Sequence, residues 1–215
     1  MTRSPATRGI AVLALAAAGL AAGCLGDLLQ RPAPERHFFR LQPPAPPAVA
    51  ARGSGVLRVE RVRVAPSFAE QSFVYRTGES RYESDFYHAF FAPPDLALRQ
   101  LLIDWLGTAS LFSTVSSASR PAPDWLLDAE LQQLYGDRRA AGGPRAVLEL
   151  RMRLLDAHSP ERELVFEKLY AVSEPAADPS ADALVAAWER ALGRTLGELA
   201  DDLRGATAAR RTGKR

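Results

Sequence analysis

Two stretches in the second half of the chain alternate apolar and polar residues with a period of two, the pattern of a half-buried strand. From Asp124 to Asp137, Trp125, Leu127, Ala129 and Leu131 alternate with Asp128, Glu130 and Gln132. From Ala146 to Asp156, Leu148, Leu150, Met152 and Leu154 alternate with Glu149, Arg151 and Arg153. The turn Ala157–Arg162 then leads into Glu163–Val172, so these two segments predict a hairpin. Upstream, "VLRVERVRVAP" (Val56 to Pro66) puts Leu57 and Val59 on one face and Val62 and Val64 on the other. The phase flips near Glu60-Arg61, which predicts a bulge or a strand buried on both faces. Aromatic and β-branched residues flank Thr77–Ser80 and predict a second hairpin over Ser72–Glu83.

Two segments carry the helical period instead. In Pro93–Gly107, Leu98, Leu101, Leu102 and Trp105 fall at steps of three and four. Proline suits the first turn, Asp95 complements the helix dipole, and Gly107 supplies a stop. From Ser180 to Arg204, Leu184, Trp188, Leu192, Leu196, Leu199 and Leu203 line one face. His37–Leu41 and Leu111–Ser117 read as short strands, and the Pro-, Ala- and Gly-rich run Gln42–Gly55 reads as an extended loop. The order of strands, helix, strands and helix predicts an α+β single domain: a mainly antiparallel sheet with two principal helices packed against it.

The N-terminus follows another logic. Arg3 and Arg8 precede an uncharged apolar run, Gly9–Leu20, and then the small residues Ala21, Ala22 and Gly23. That is the order of an export signal, and the run is too short to span a membrane. Cys24 is the sole cysteine of the chain, so it has no internal disulfide partner. Its setting resembles the bacterial lipobox, which implies cleavage after Gly23 and a diacylglycerol on Cys24. The commonest residue three places before such a cysteine is Leu, whereas this chain has Ala21. Ordinary cleavage after Ala16-Ala17-Ala18, leaving Cys24 unmodified, is the alternative. Leu25, rather than Asp, follows the cysteine, and in Gram-negative lipoproteins that favours the outer membrane, facing the periplasm. The expected organisation is residues 1–23 as signal peptide and 24–54 as acylated N-terminus, short strand and Pro-rich loop. Residues 55–204 form the domain, with its first strand at 36–41, and 205–215 are a basic disordered tail.

Charge narrows the partners. The formal net charge is +2. Without Arg3 and Arg8, 25 basic residues face 25 acidic ones. Arg204, Arg210, Arg211, Lys214 and Arg215 crowd the last twelve positions, which leaves the folded part near −5. No basic footprint for nucleic acid remains.

Catalytic signals are weak. Glu83, Asp85 and His88 are ligand-type residues close in sequence, but they lie where a strand gives way to loop, and a zinc site needs three ligands in defined geometry. Asp128 and Glu130 share a strand face and read as solvated decoration. No Gly-x-Ser-x-Gly elbow is present, and Gly142-Gly143-Pro144 lacks the lysine and helix of a phosphate loop. No cofactor beyond a covalent lipid on Cys24 is called for. A periplasmic hydrolase is the least supported reading.

Phe86, Tyr87, Phe90 and Phe91 concentrate just before the Pro-Pro start of the first helix. With this cluster, the chain resembles the ABC-type transport auxiliary lipoproteins, the PqiC/YmbA-like group. The likeness runs over nearly all of the mature region. It comprises the lipobox, the aromatic strand His37–Leu41, "LRVERVRVAP" (Leu57 to Pro66), "VYR" (Val74 to Arg76) and the Asp85-Phe86-Tyr87 segment. Leu111-Phe112, "LLDA" (Leu154 to Ala157) and the long final helix complete it. Phe90 stands where the family commonly carries tryptophan.

The resemblance implies a non-catalytic accessory or docking subunit that accompanies an MCE-domain protein, a permease and an ATPase. Such systems move lipids or other hydrophobic molecules between membranes, and the subunits form a symmetric assembly of copies on the MCE ring. Tyr82, Phe86, Tyr87, Phe90 and Phe91 are the candidates for partner or lipid contact, core packing being the alternative for all five. An envelope-stabilising lipoprotein without transport is the other reading.

Overall fold

The computed structural model describes residues 35–47, 53–139 and 142–213. In chain order the elements are β1 (His37–Phe39), β2 (Val56–Val64), a 3-10 turn (Pro66–Phe68), β3 (Ser72–Arg76) and β4 (Tyr82–Phe90). They continue with α1 (Pro94–Thr108), β5 (Thr114–Ser116), β6 (Trp125–Asp137), β7 (Arg145–Asp156), β8 (Leu164–Pro175) and α2 (Ala181–Gly213).

All eight strands join one sheet, and β6 is its spine. Along one edge β6 carries β7, which in turn carries β8, both antiparallel. Along the other edge its first half carries β2, and its last two residues carry β3. The sheet forks there, into β2–β5 on one arm and β3–β4–β1 on the other. The hairpins expected over Ser72–Glu83 and Ala146–Val172 are both present as antiparallel pairs.

The sheet is mixed, which corrects the expectation of a mainly antiparallel one. β1–β4, β2–β5, β2–β6 and β3–β6 are parallel. Alternation reports which face a side chain takes, and that is the same for either strand direction. Direction is set by the crossovers, and parallel neighbours need long ones. The whole of β3, β4 and α1 lies between β2 and β5 and supplies that length.

The phase flip in β2 is a bulge. Its pairing with β6 skips from Val59 to Arg61, so Leu57, Val59 and Val62 are all buried despite their odd spacing.

Both helices bury the stripes that their spacing predicts. α1 buries Leu98, Leu102 and Trp105, adds Leu106, and leaves Leu101 half-buried. α2 buries Leu184, Trp188, Leu192, Leu196, Leu199 and Leu203. Its start is capped: the Asp178 carboxylate accepts the Ser180 N–H at 2.8 Å and the Ser180 hydroxyl accepts the Ala183 N–H at 3.2 Å.

The second correction concerns the end of α2. The helix expected to stop near Arg204 continues to Gly213, through most of the segment read as a disordered tail. The apolar face goes on with Ala206 and the buried Thr207. Thr207 returns its hydroxyl to the Leu203 carbonyl at 2.8 Å. Arg210 then reaches the buried Asp156 at 3.2 Å and also pairs with Glu163. Basic residues near a helix C-terminus complement its dipole, and here one of them also ties the helix to the β7–β8 turn.

Among the described residues no helix is long and apolar enough to cross a membrane.

Candidate functional site

Residue alternation places the aromatic cluster on two sides of the sheet. β1 is only three residues long and lies parallel on β4, with His37, Phe38 and Phe39 opposite His88, Ala89 and Phe90. Phe39 and Phe90 face inward. Phe90 packs on Phe73, with ring centroids 4.7 Å apart, and on Trp188 at 5.5 Å, while Phe73 meets Trp188 edge-on at 5.2 Å. Such offset and edge-to-face pairs add to the burial of large rings. Phe90 is buried and belongs to the core, which corrects its place among the exposed contact residues.

The other four are exposed. Tyr82 stands against Phe68 and Tyr135, with the Arg76 guanidinium 5.5 Å from its ring centroid. Phe86 and Tyr87 project from β4 with their rings edge to face at 5.4 Å. They do so because β4 is bulged: from Ser72 to Val74 on β3, the partner residues run from Ala89 back to Ser84. Asp85 holds that bulge together. Its carboxylate accepts the backbone N–H of Tyr87 at 2.7 Å and of His88 at 3.1 Å, and takes the His88 Nδ1 at 2.8 Å. Burial works against its charge, but these hydrogen bonds outweigh it and hold the carboxyl below the usual range. The Tyr75 phenol lies near the same carboxylate, and the Arg138 guanidinium lies 3.4 Å from the centroid of its ring. Burial first, and then the Asp85 charge, push the Tyr75 phenol up to about 12.

Asp85 and His88, read from sequence as weak metal candidates, thus brace a bulge within a strand that extends further than expected. Among the described residues, no group of three or more ligand-type side chains is placed to hold a metal ion. Asp128 and Glu130 sit opposite Arg153 and Arg151 in the β6–β7 ladder, but those two arginines pair with Glu167 of β8, at 3.1 and 2.9 Å.

Phe91, next to the core residue Phe90, opens onto a different feature. Its N–H donates to the Phe39 carbonyl at 2.7 Å, and its ring lines an apolar groove of about 510 Å³. The floor includes Leu131, Leu134 and Leu148 of the sheet; one wall is α1; the other is a strap, residues 40–46, that follows β1. The strap is pegged at two points. The Gln42 N–H donates to the Glu189 carboxylate, and the Trp105 indole N–H donates to the Pro44 carbonyl, both at 2.8 Å. Pro44 also rests on α2 at Gly193, where a Cβ would stand 2.9 Å from its Cδ. Phe91 and Leu96 form the mouth and are 71% and 56% exposed.

Sequence reading missed this groove with the exposed Leu96 at its mouth, and also the exposed Phe38. Leu96 had a signal, since it is an apolar residue off the stripe of α1. The strap had none, because a Pro-rich run does not say what it crosses. Cys24 and Gly23 lie outside the described residues.

The family model for ABC-type transport auxiliary lipoprotein components matches residues 39–200. No curated protein matches the chain. The crystal structure of XCC0632 from Xanthomonas campestris, a DUF330 protein, is similar with a TM-score of 0.69 at 18% identity, covering 81% of this chain and 99% of that one. A crystal structure of an uncharacterized protein is similar with a TM-score of 0.64 at 16% identity, covering 79% and 99%. At these identities the two structures speak for the fold.

Proposed function

The chain belongs to the family of ABC-type transport auxiliary lipoprotein components, and from that premise we propose that it is the non-catalytic docking subunit of an MCE-type transporter of lipids or other hydrophobic molecules. In this reading Cys24, freed by cleavage after Gly23, carries the acyl anchor at the outer membrane, and the domain faces the periplasm. Its partners are an MCE-domain protein and, through it, the permease and ATPase.

The observation that carries the reading is the aromatic edge. Phe38, Phe86, Tyr87 and Phe91 are all about half exposed or more on neighbouring parts of β1, β4 and the turn into α1. Large apolar residues gathered on a surface mark an interaction site, and aromatic anchors dominate interface energies. A bulge braced by a carboxylate gives two of them a fixed presentation, which lowers the entropy cost of docking. A lipid crossing water costs about 25 cal/mol per Å² of exposed tail, so a transport path needs an end held close to the receiving membrane. A tethered domain supplies that by raising local concentration without a tight interface.

The experiment is mild-detergent co-purification of the full chain from native membranes, with mass spectrometry of partners and of the N-terminal peptide. An acylated Cys24 recovered with an MCE protein, permease and ATPase is the expected result. An acylated Cys24 recovered with none of them points to an envelope-stabilising lipoprotein, and an unmodified Cys24 in a soluble fraction overturns the anchored reading.

A further inference from the structure

The groove between α1 and the strap is more than a docking surface requires, and its dimensions and chemistry specify an occupant. We propose that it binds one acyl chain of a free, anionic amphiphile, with the head group beside Arg40 and the tail running toward Trp105. The inference goes beyond the docking role and does not depend on which partner the subunit meets.

Three observations support it. The first is size. At roughly 30 Å³ for a group the size of water or methylene, about 510 Å³ holds about 17 such groups, the content of a single long acyl chain. Two turns of α-helix, 10–12 Å across, displace about 1000 Å³, about twice that volume, so a helical peptide could lay no more than one face in the groove.

The second is the arrangement of polarity. Leucine, phenylalanine and proline side chains form the floor and much of the walls, and polar lining groups are few. The Trp105 indole N–H, which would otherwise point a donor toward the tail, is already used by Pro44 at 2.8 Å. Asp104, another lining residue, accepts from Gln100 at 2.8 Å.

The third is charge at the mouth. Arg40 is exposed, lines the groove, and has no ion-pair partner among the described residues. It follows Phe39, whose carbonyl takes the Phe91 N–H, so its backbone stands at the Phe91 end. A carboxylate or phosphate there meets an uncommitted guanidinium, which is suited to bidentate recognition of both.

The test uses the full chain in a rigid sterol-type detergent, which has no acyl tail to compete. Cis-parinaric acid, a fluorescent long-chain fatty acid, is titrated in, then displaced by 16-carbon lysophosphatidate or by the uncharged 16-carbon monoacylglycerol. The expected result is saturable binding of one probe per chain. Lysophosphatidate should displace it about tenfold better than monoacylglycerol, the worth of one modest ion pair, and Arg40→Gln should erase that preference. Ala97→Trp, on an exposed lining position of α1, should fill the groove and weaken the probe at least about tenfold with an unchanged unfolding midpoint. Leu96→Asp at the mouth provides a second variant that leaves the core alone.

Absence of saturable binding, or binding that neither variant weakens, overturns the proposal. Binding to the Cys24→Ser chain but not to the wild-type chain overturns it as well, by placing the chain's own anchor in the groove. Recovery of the transporter complex is scored separately, so a groove that binds nothing and a subunit that docks with nothing give different results.

Discussion

The indole N–H of Trp105, near the C-terminal end of α1, donates to the carbonyl oxygen of Pro44 at 2.8 Å, across 61 residues of chain. The bond fixes a proline-rich strap to a helix that otherwise contacts mainly β2 and β5. Prolines offer no N–H, so most polar anchoring of the strap must come from its carbonyls and from the few residues between prolines. Trp105→Phe keeps most of the buried ring and removes this peg. A net loss of roughly 0.5–1.5 kcal/mol is expected. Hydrogen exchange at the Gln42 amide, which donates to Glu189, should accelerate well beyond what global unfolding explains. Unchanged protection there would mean that the strap is held elsewhere.

Phe90 and Phe91 are adjacent and should behave as opposites. Phe90 is 6% exposed and touches Phe73 and Trp188, whereas Phe91 is 71% exposed. Phe90→Ser should cost at least roughly 3–5 kcal/mol, the range for losing a buried aromatic ring. Phe91→Ser should stay within about 0.5 kcal/mol of wild type, yet reduce recovery of partner proteins from membranes. Urea unfolding checks the first pair of values and co-purification the second. Equal destabilisation by both would return Phe91 to the core.

This pair also shows how far the sequence could be read. Period and alternation placed the stripes of both helices and the inward residues of β6 and β7, because burial repeats at 3.6 or 2.0 residues wherever the element is regular. They could not separate Phe90 from Phe91, because the strand ends there and periodicity ends with it. Nor could they foresee that Asp85 closes a bulge through the Tyr87 and His88 amides, a local bond that leaves no periodic trace. The parallel pairings were hidden for a related reason, since strand direction depends on what the connections do. α2 was read as too short because its leucine stripe ends at Leu203, while Thr207 and Arg210 carry the same face onward with a hydroxyl and a guanidinium. The groove was beyond reach altogether, because it is assembled from six separate elements and the strap.

Gly136 tests the packing of β6 beneath α2. A Cβ at this position would lie 2.8 Å from Leu184 Cδ2 and 2.9 Å from Tyr75 Cδ1. Both neighbours are buried, so neither can swing into solvent. Gly136→Ala should destabilise the fold by roughly 1–3 kcal/mol through overpacking, against the usual gain from removing glycine flexibility. Thermal or urea unfolding decides the matter, and a variant as stable as wild type would show that Tyr75 and Leu184 have room to move.

Asp202 and Asp85 are two of the carboxylates that contribute to the acid limit of the fold, and the sign follows from their direction of shift. Asp202, on α2, accepts from Lys168 at 2.7 Å and from the Tyr170 hydroxyl at 2.6 Å, both on β8. Burial disfavours its charge, but these two donors prevail and hold it below its ordinary value of 3.8. Asp85 is likewise held below 3.8. A carboxyl with a depressed folded-state pKa binds fewer protons in the native than in the unfolded state, so stability rises with pH across that interval. The contribution is complete above the unfolded value and is lost as pH falls through the folded one. Urea midpoints should therefore decline below about pH 4, and Asp202→Asn should flatten part of that decline while lowering the neutral-pH plateau. The alkaline side runs the other way. Tyr75 is raised from 10.0 to about 12, so it binds more protons when folded, and its contribution should fade as pH climbs past 10. An acid slope left intact by Asp202→Asn would assign the loss to other carboxylates and make the Lys168–Asp202–Tyr170 cluster a bystander.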